Sequence, residues 1–183
     1  MKKRMAMLLC ACVLALAACS VPDRTAERTL DLGTFRNKAG SYELAAAPWG
    51  VSQSDCAAVW PAMRDYPKLT FQEFLLTDVH EYGGHSVDAV LMFKADKLFD
   101  LTLRFAAAPE DSEALYTGLS RELSDLYGPG DFHEEVSGTD RLRQIRWTAY
   151  TEGRRTDMAL RCGNRGSNDP RVLLTLTHQP ERA

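Results

Sequence analysis

The chain has 183 residues, of which 45% are hydrophobic and 26% charged, with a formal net charge of −3. That length suits one domain with a single hydrophobic core. The mildly acidic balance argues against nucleic acid or anionic lipid as a general electrostatic partner.

Lys2, Lys3 and Arg4 form a basic start, and the stretch from Met5 to Ala18 carries no charge. A helix of that stretch rises only about 21 Å, short of the ~30 Å hydrocarbon core, so a secretory signal fits better than a membrane span. Leu16-Ala17-Ala18-Cys19 resembles the lipobox of bacterial lipoproteins. The resemblance implies cleavage before Cys19 and a diacylglycerol on its thiol. In Gram-negative hosts it also implies a further acyl chain, of the palmitate kind, on the new amine. Two or three chains would make release negligible, because each buried methylene adds about 0.8 kcal/mol. Ser20 stands where inner-membrane retention commonly requires Asp, so the resemblance points to the outer membrane, more plausibly its periplasmic side. The expected division is 1–18 signal peptide, 19–41 lipidated N-terminus and tether, and 42–183 a single α+β domain. Loss of Lys2, Lys3 and Arg4 takes the formal charge from −3 to −6.

Of the five cysteines, Cys10 and Cys12 leave with the signal and Cys19 takes lipid. Cys56 and Cys162 remain, an even pair in an oxidising compartment, and a disulfide between them is expected. The rival reading is two separately buried thiols.

Ser52, Asp55 and the Val51/Cys56 pair have the spacing of a capped helix start, and Cys56, Val59, Trp60 and Met63 give an apolar stripe. Pro61 and Pro67 keep this helix short. Leu69 to Val79 fits either a bulged strand or a helical turn. After the Gly83-Gly84 loop, Val87 to Phe93 and Phe99 to Phe105 alternate around a tight turn at 94–97, a hairpin with one buried face.

A second helix begins near Pro109, with Leu115, Leu119, Leu123, Leu126 and Tyr127 as its stripe and Gly128-Pro129 as its stop. Three strand candidates follow, marked by Ile145/Trp147/Ala149, Met158/Leu160/Cys162 and Val172/Leu174/Leu176. The expected fold is α+β: an antiparallel sheet of about six strands, two helices on one face, and a possible α-β-β-β duplication. The helix start Gly50-Val51-Ser52 to Asp55 before a hairpin resembles small envelope lipoproteins of the SmpA/BamE type. The doubled helix-plus-strands layout resembles β-lactamase-inhibitor-protein architecture.

Recognisable chemistry is scarce. His80 and His85 are five apart across Gly83-Gly84, whereas a helical zinc motif needs a spacing of four, so exposed loop histidines are the favoured reading. Asp131, His133, Glu134 and Glu135 follow Gly128-Pro129-Gly130 and read as a solvated loop. No serine or thiol sits in a nucleophile motif and no glycine-rich phosphate loop is present. His178 reads as a strand-end histidine. No metal or cofactor is expected, and enzyme activity is disfavoured.

The strand parities aim Arg104, Arg146, Tyr150 and Arg161 outward, together with Asp100, Thr102, Thr148, Asp157, Leu173, Thr175 and Thr177. Arg and Tyr are enriched in binding hot spots, so this face is the candidate binding surface; its alternative is an ordinary solvated face. The expected function is a non-catalytic, lipid-anchored envelope protein that binds a protein partner in assembly, scaffolding or inhibition. The alternative is a small-ligand or metal-binding protein using Trp60, Trp147 and the loops of His80, His85 and His133.

Overall fold

The computed structural model describes residues 29–61, 63–65, 72–138, 140–163 and 171–179. The signal segment and Cys19 lie outside them. The described chain forms an α+β fold. Helix α1 (Gln53–Val59) precedes strands β1 (Arg64–Asp65), β2 (Gln72–Tyr82), β3 (His85–Lys94) and β4 (Lys97–Phe105). Helix α2 (Ser112–Tyr127) then leads into β5 (Asp131–Ser137), β6 (Asp140–Thr151), β7 (Arg154–Gly163) and β8 (Arg171–Gln179). All eight strands join one antiparallel sheet in the order β1-β2-β3-β4-β8-β7-β6-β5. Each half is a helix followed by a four-strand meander, and the last strand of each meander meets the other at the centre.

The expectation of about six strands is therefore corrected to eight, and the repeated layout gains a fourth strand. β1 is only two residues long, and β5 is exposed along its whole length, so neither has buried apolar residues alternating with polar ones. Asp131 to Glu135, expected in a loop, pairs with Arg146 to Leu142 on β6. The ambiguous stretch ending at Val79 is strand from Gln72, with a register shift between Leu76 and His80.

Local chemistry explains the well-read elements. Ser52 Oγ accepts the Asp55 amide at 3.1 Å, capping α1 as its spacing demands. Only Cys56 of its stripe is buried; Val59 is 55% exposed because the helix ends there. Ala95 and Asp96, both at positive φ, make the two-residue turn between β3 and β4, a geometry that matches strand twist. Gly83 and Gly84 do the same between β2 and β3.

The core lies between the helices and one face of the sheet. Val87, Leu91, Leu101, Leu103, Leu160, Leu174 and Leu176 face it, and α2 adds Leu115, Tyr116, Leu119 and Leu123. Leu126 stands apart at 47% exposure. No helix among the described residues is long and apolar enough to cross a membrane.

The folded body starts ahead of the expected boundary at 42. Leu30 N donates to Glu81 O at 2.8 Å, and Leu32 and Phe35 are buried. The Tyr127 hydroxyl donates to Leu32 O and accepts from Phe35 N. Tyr42 N donates to Thr156 Oγ1 at 3.0 Å. Residues 29–41 are thus part of the domain rather than tether, because their few large apolar side chains complete the core beside α2.

Candidate binding face

Antiparallel register arranges the face opposite the described helices in rows running across the sheet, since directly opposed residues share a face. One row runs His133, Gln144, Arg161, Leu173, Arg104, Asp88 from β5 to β3. The next holds Asp131, Arg146, Ala159, Thr175 and Thr102. A third holds Thr148, Asp157, Thr177 and Asp100. On the other side of the first row, Leu142, Gly163 and Arg171 stand opposite one another.

The third row is an internally bonded polar band. Thr148 donates to Asp157 Oδ1 at 2.6 Å, and Arg155 pairs with the same carboxylate at 3.0 Å. Thr177 donates to Asp100 Oδ2 at 2.9 Å. Burial pushes the Asp100 carboxyl above its ordinary pKa, opposed by the Thr177 and Thr102 hydroxyls and by the positive field of Arg161. These groups satisfy one another and leave little for a ligand.

The ground on both sides of the first row behaves differently. Arg146, Arg161 and Arg171 border a cavity of about 630 Å³, open to solvent, with Leu142 and Leu173 as its apolar surface. Glu135 is the one carboxylate among its described lining residues. Arg161 Nε donates to Gln144 Oε1 at 2.7 Å, which holds that guanidinium in place. Arg146 and Arg171 form no ion pair among the described residues. A smaller hollow of about 180 Å³ adjoins through Arg171 and Leu173 and is bordered by Arg104 and Asp88. Placing several fixed cations on one partly sheltered surface concentrates positive potential that bulk water would otherwise screen.

Of the residues singled out from sequence, Arg104, Arg146 and Arg161 are brought together here. Tyr150 shares the face and is 74% exposed, but it lies six residues along β6 from Gln144, about 20 Å away at ~3.3 Å per residue. Arg171, Gln144 and His133 went unnoticed as members of the site. Their strand parity carried the signal for the first two, while His133 required recognition of β5.

The expected Cys56–Cys162 bridge is not formed; both thiols are free and buried. Both do face the core, as expected, but at opposite ends of the strands. The residues before α1 hydrogen-bond to Leu98, at the start of β4. Cys162 pairs with Val172, which pairs with Phe105 at its end, and Leu98 to Phe105 spans about 23 Å at ~3.3 Å per residue. Burial, with Asp55 nearby, pushes the Cys56 thiol pKa up to about 11. Burial also raises that of Cys162, against the pull of Arg143.

The alternative pocket of tryptophans and histidines is not assembled. Trp147 is buried on the helix side, with Nε1 donating to Gly128 O at 2.8 Å, whereas His133 faces the other side of the sheet. His80 and His85 lie on β2 and β3, and His178 stacks on Trp49 at 5.8 Å. No group of three or more His, Cys, Asp or Glu side chains suited to a metal ion occurs among the described residues. No protein family, curated protein or solved structure matches this chain.

Proposed function

We propose that this chain is a non-catalytic, lipid-anchored protein of the bacterial cell envelope that binds a protein partner through the helix-free face of its sheet. Lipid on Cys19 holds it to the membrane, by this reading the periplasmic side of the outer membrane, and the folded body carries the recognition. The observation that supports binding is the gathering of Arg104, Arg146, Arg161 and Arg171 around two adjoining hollows on that face. Arginine is favoured at interfaces because its planar fork makes several directed hydrogen bonds while its stem covers apolar area.

A second reading, a small-ligand receptor, draws on the size of the larger cavity, which falls within the ~300–1,000 Å³ of ligand pockets. Such pockets enclose most of the ligand behind largely apolar walls. Here three arginines and a carboxylate interrupt the apolar area and the sheet is open to solvent, which suits a protein surface better.

In-cell photocrosslinking tests the proposal. A photoreactive residue at Thr102 or Thr148 should trap one protein species, while the same residue at Thr117, exposed on α2, should not. Equal trapping from both sides, or from neither, would overturn it.

A further inference from the structure

We infer that the cavity bordered by Arg146, Arg161 and Arg171 is a recognition pocket for an acidic peptide segment, an inference that rests on the uncovered face being a protein-binding surface. The three guanidinium groups come from β6, β7 and β8, and the register that opposes Gln144 to Arg161 and Gly163 to Arg171 sets them around one hollow. Among the described lining residues three arginines stand against one carboxylate, Glu135, a positive excess within a chain whose formal charge is −3. Arg146 and Arg171 have no carboxylate partner among the described residues, which leaves their N–H forks to a ligand.

Size and lining select among anions. At ~30 Å³ per water, about 630 Å³ holds roughly twenty waters, far more than one tetrahedral anion displaces. Glu135 opposes a phosphate dianion more strongly than a carboxylate, which carries one charge and matches the arginine fork with two parallel hydrogen bonds. Leu142 and Leu173 offer contact to the methylenes of glutamate side chains. Gln144, His133 and Glu135 offer hydrogen-bonding groups to a peptide backbone. A lone phosphate uses the N–H donors and leaves the Leu142 and Leu173 surfaces unused; an acidic peptide engages both.

The test is fluorescence anisotropy with the full-length chain in detergent, using labelled hexaglutamate, its hexaglutamine counterpart, and inorganic phosphate as competitor. Hexaglutamate should bind, with affinity falling as salt rises, and hexaglutamine should bind at least about tenfold more weakly. Arg146→Ala and Arg171→Ala should each weaken hexaglutamate about tenfold, the scale of one lost charge-assisted hydrogen bond. Lys97→Ala, at the start of β4, should leave binding unchanged, and all variants should melt as the parent does. Equal binding of the two peptides, indifference to both arginine variants, or full displacement by phosphate at the peptide's own concentration would each overturn the inference. If hexaglutamate fails while charge reversal at Arg104 and Arg146 still abolishes partner capture, the acidic-peptide pocket falls and the binding face stands.

Discussion

Replacing Trp147 by alanine probes the packing of β6 against the Gly128–Gly130 segment that follows α2. The indole is 3% exposed, and its Nε1 donates to the Gly128 carbonyl just beyond the end of α2. The chain crosses the ring so closely that a Cβ on Gly130 would stand 2.9 Å from Trp147 Cε2 and 2.5 Å from Ile145 Cγ2. Removing the ring therefore leaves a hole beneath the backbone that feeds into β5. Truncation of a buried tryptophan costs about 3–5 kcal/mol. At about 2–4 °C per kcal/mol for a domain of this size, the midpoint should drop by roughly 6–20 °C. Trp147→Phe keeps most of the ring but strands the Gly128 carbonyl, and should cost about 1–2 kcal/mol. Urea unfolding followed by circular dichroism measures both. A loss below about 1 kcal/mol for the alanine variant would refute the packing argument, since only a surface or readily collapsing site behaves so.

Cys19→Ala should abolish incorporation of labelled fatty acid and release the chain from membranes with its melting unchanged; equal labelling of the variant would remove the anchor from the account. Cys56 and Cys162 should both alkylate after denaturation without reductant, and protection of the pair would restore the disulfide. Burial raises the carboxyl pKa of Asp100, so the folded state binds that proton more tightly than the unfolded chain does. Its support for the fold is therefore complete below the unfolded value near ~4 and is lost as pH rises through the raised folded value. Asp100→Asn should accordingly gain on the parent in urea unfolding as pH climbs from 4 to 7; a gap that shrinks over that range would reverse the sign.

The hairpins were legible because alternation and turn chemistry agree at each of them. Val87 to Phe93 and Leu101 to Phe105 change face at every residue, a bulge opposite Met92 and Phe93 buries Leu98 where Phe99 was expected, and Ala95-Asp96 and Gly83-Gly84 sit where the turns require positive φ. Asp131–Ser137 escaped because an edge strand with both faces wet has no burial pattern to display, although Phe132 and Val136 share one parity. The meeting of β4 with β8, through pairs such as Leu103 with Leu174, joins residues far apart in the chain, and no local pattern encodes it. Parity alone put Arg104, Arg146 and Arg161 on one face. Their convergence with Arg171 depends on inter-strand register, which parity leaves open. The same gap misled the cysteine pairing: both thiols do point inward, but facing the core says nothing about position along a strand.

The central claim, that the helix-free face captures a protein partner, is tested most directly by reversing charge at Arg104 and Arg146 together. Capture of the crosslinked partner and thermal melting should be measured on the same protein. Surface changes of this kind usually alter stability within about 0.5 kcal/mol, whereas loss of an interface hot spot removes about 2 kcal/mol or more of binding, roughly thirtyfold in affinity. The account predicts capture reduced by at least that factor with melting unchanged. Capture equal to that of the parent chain, with the fold intact, would contradict it.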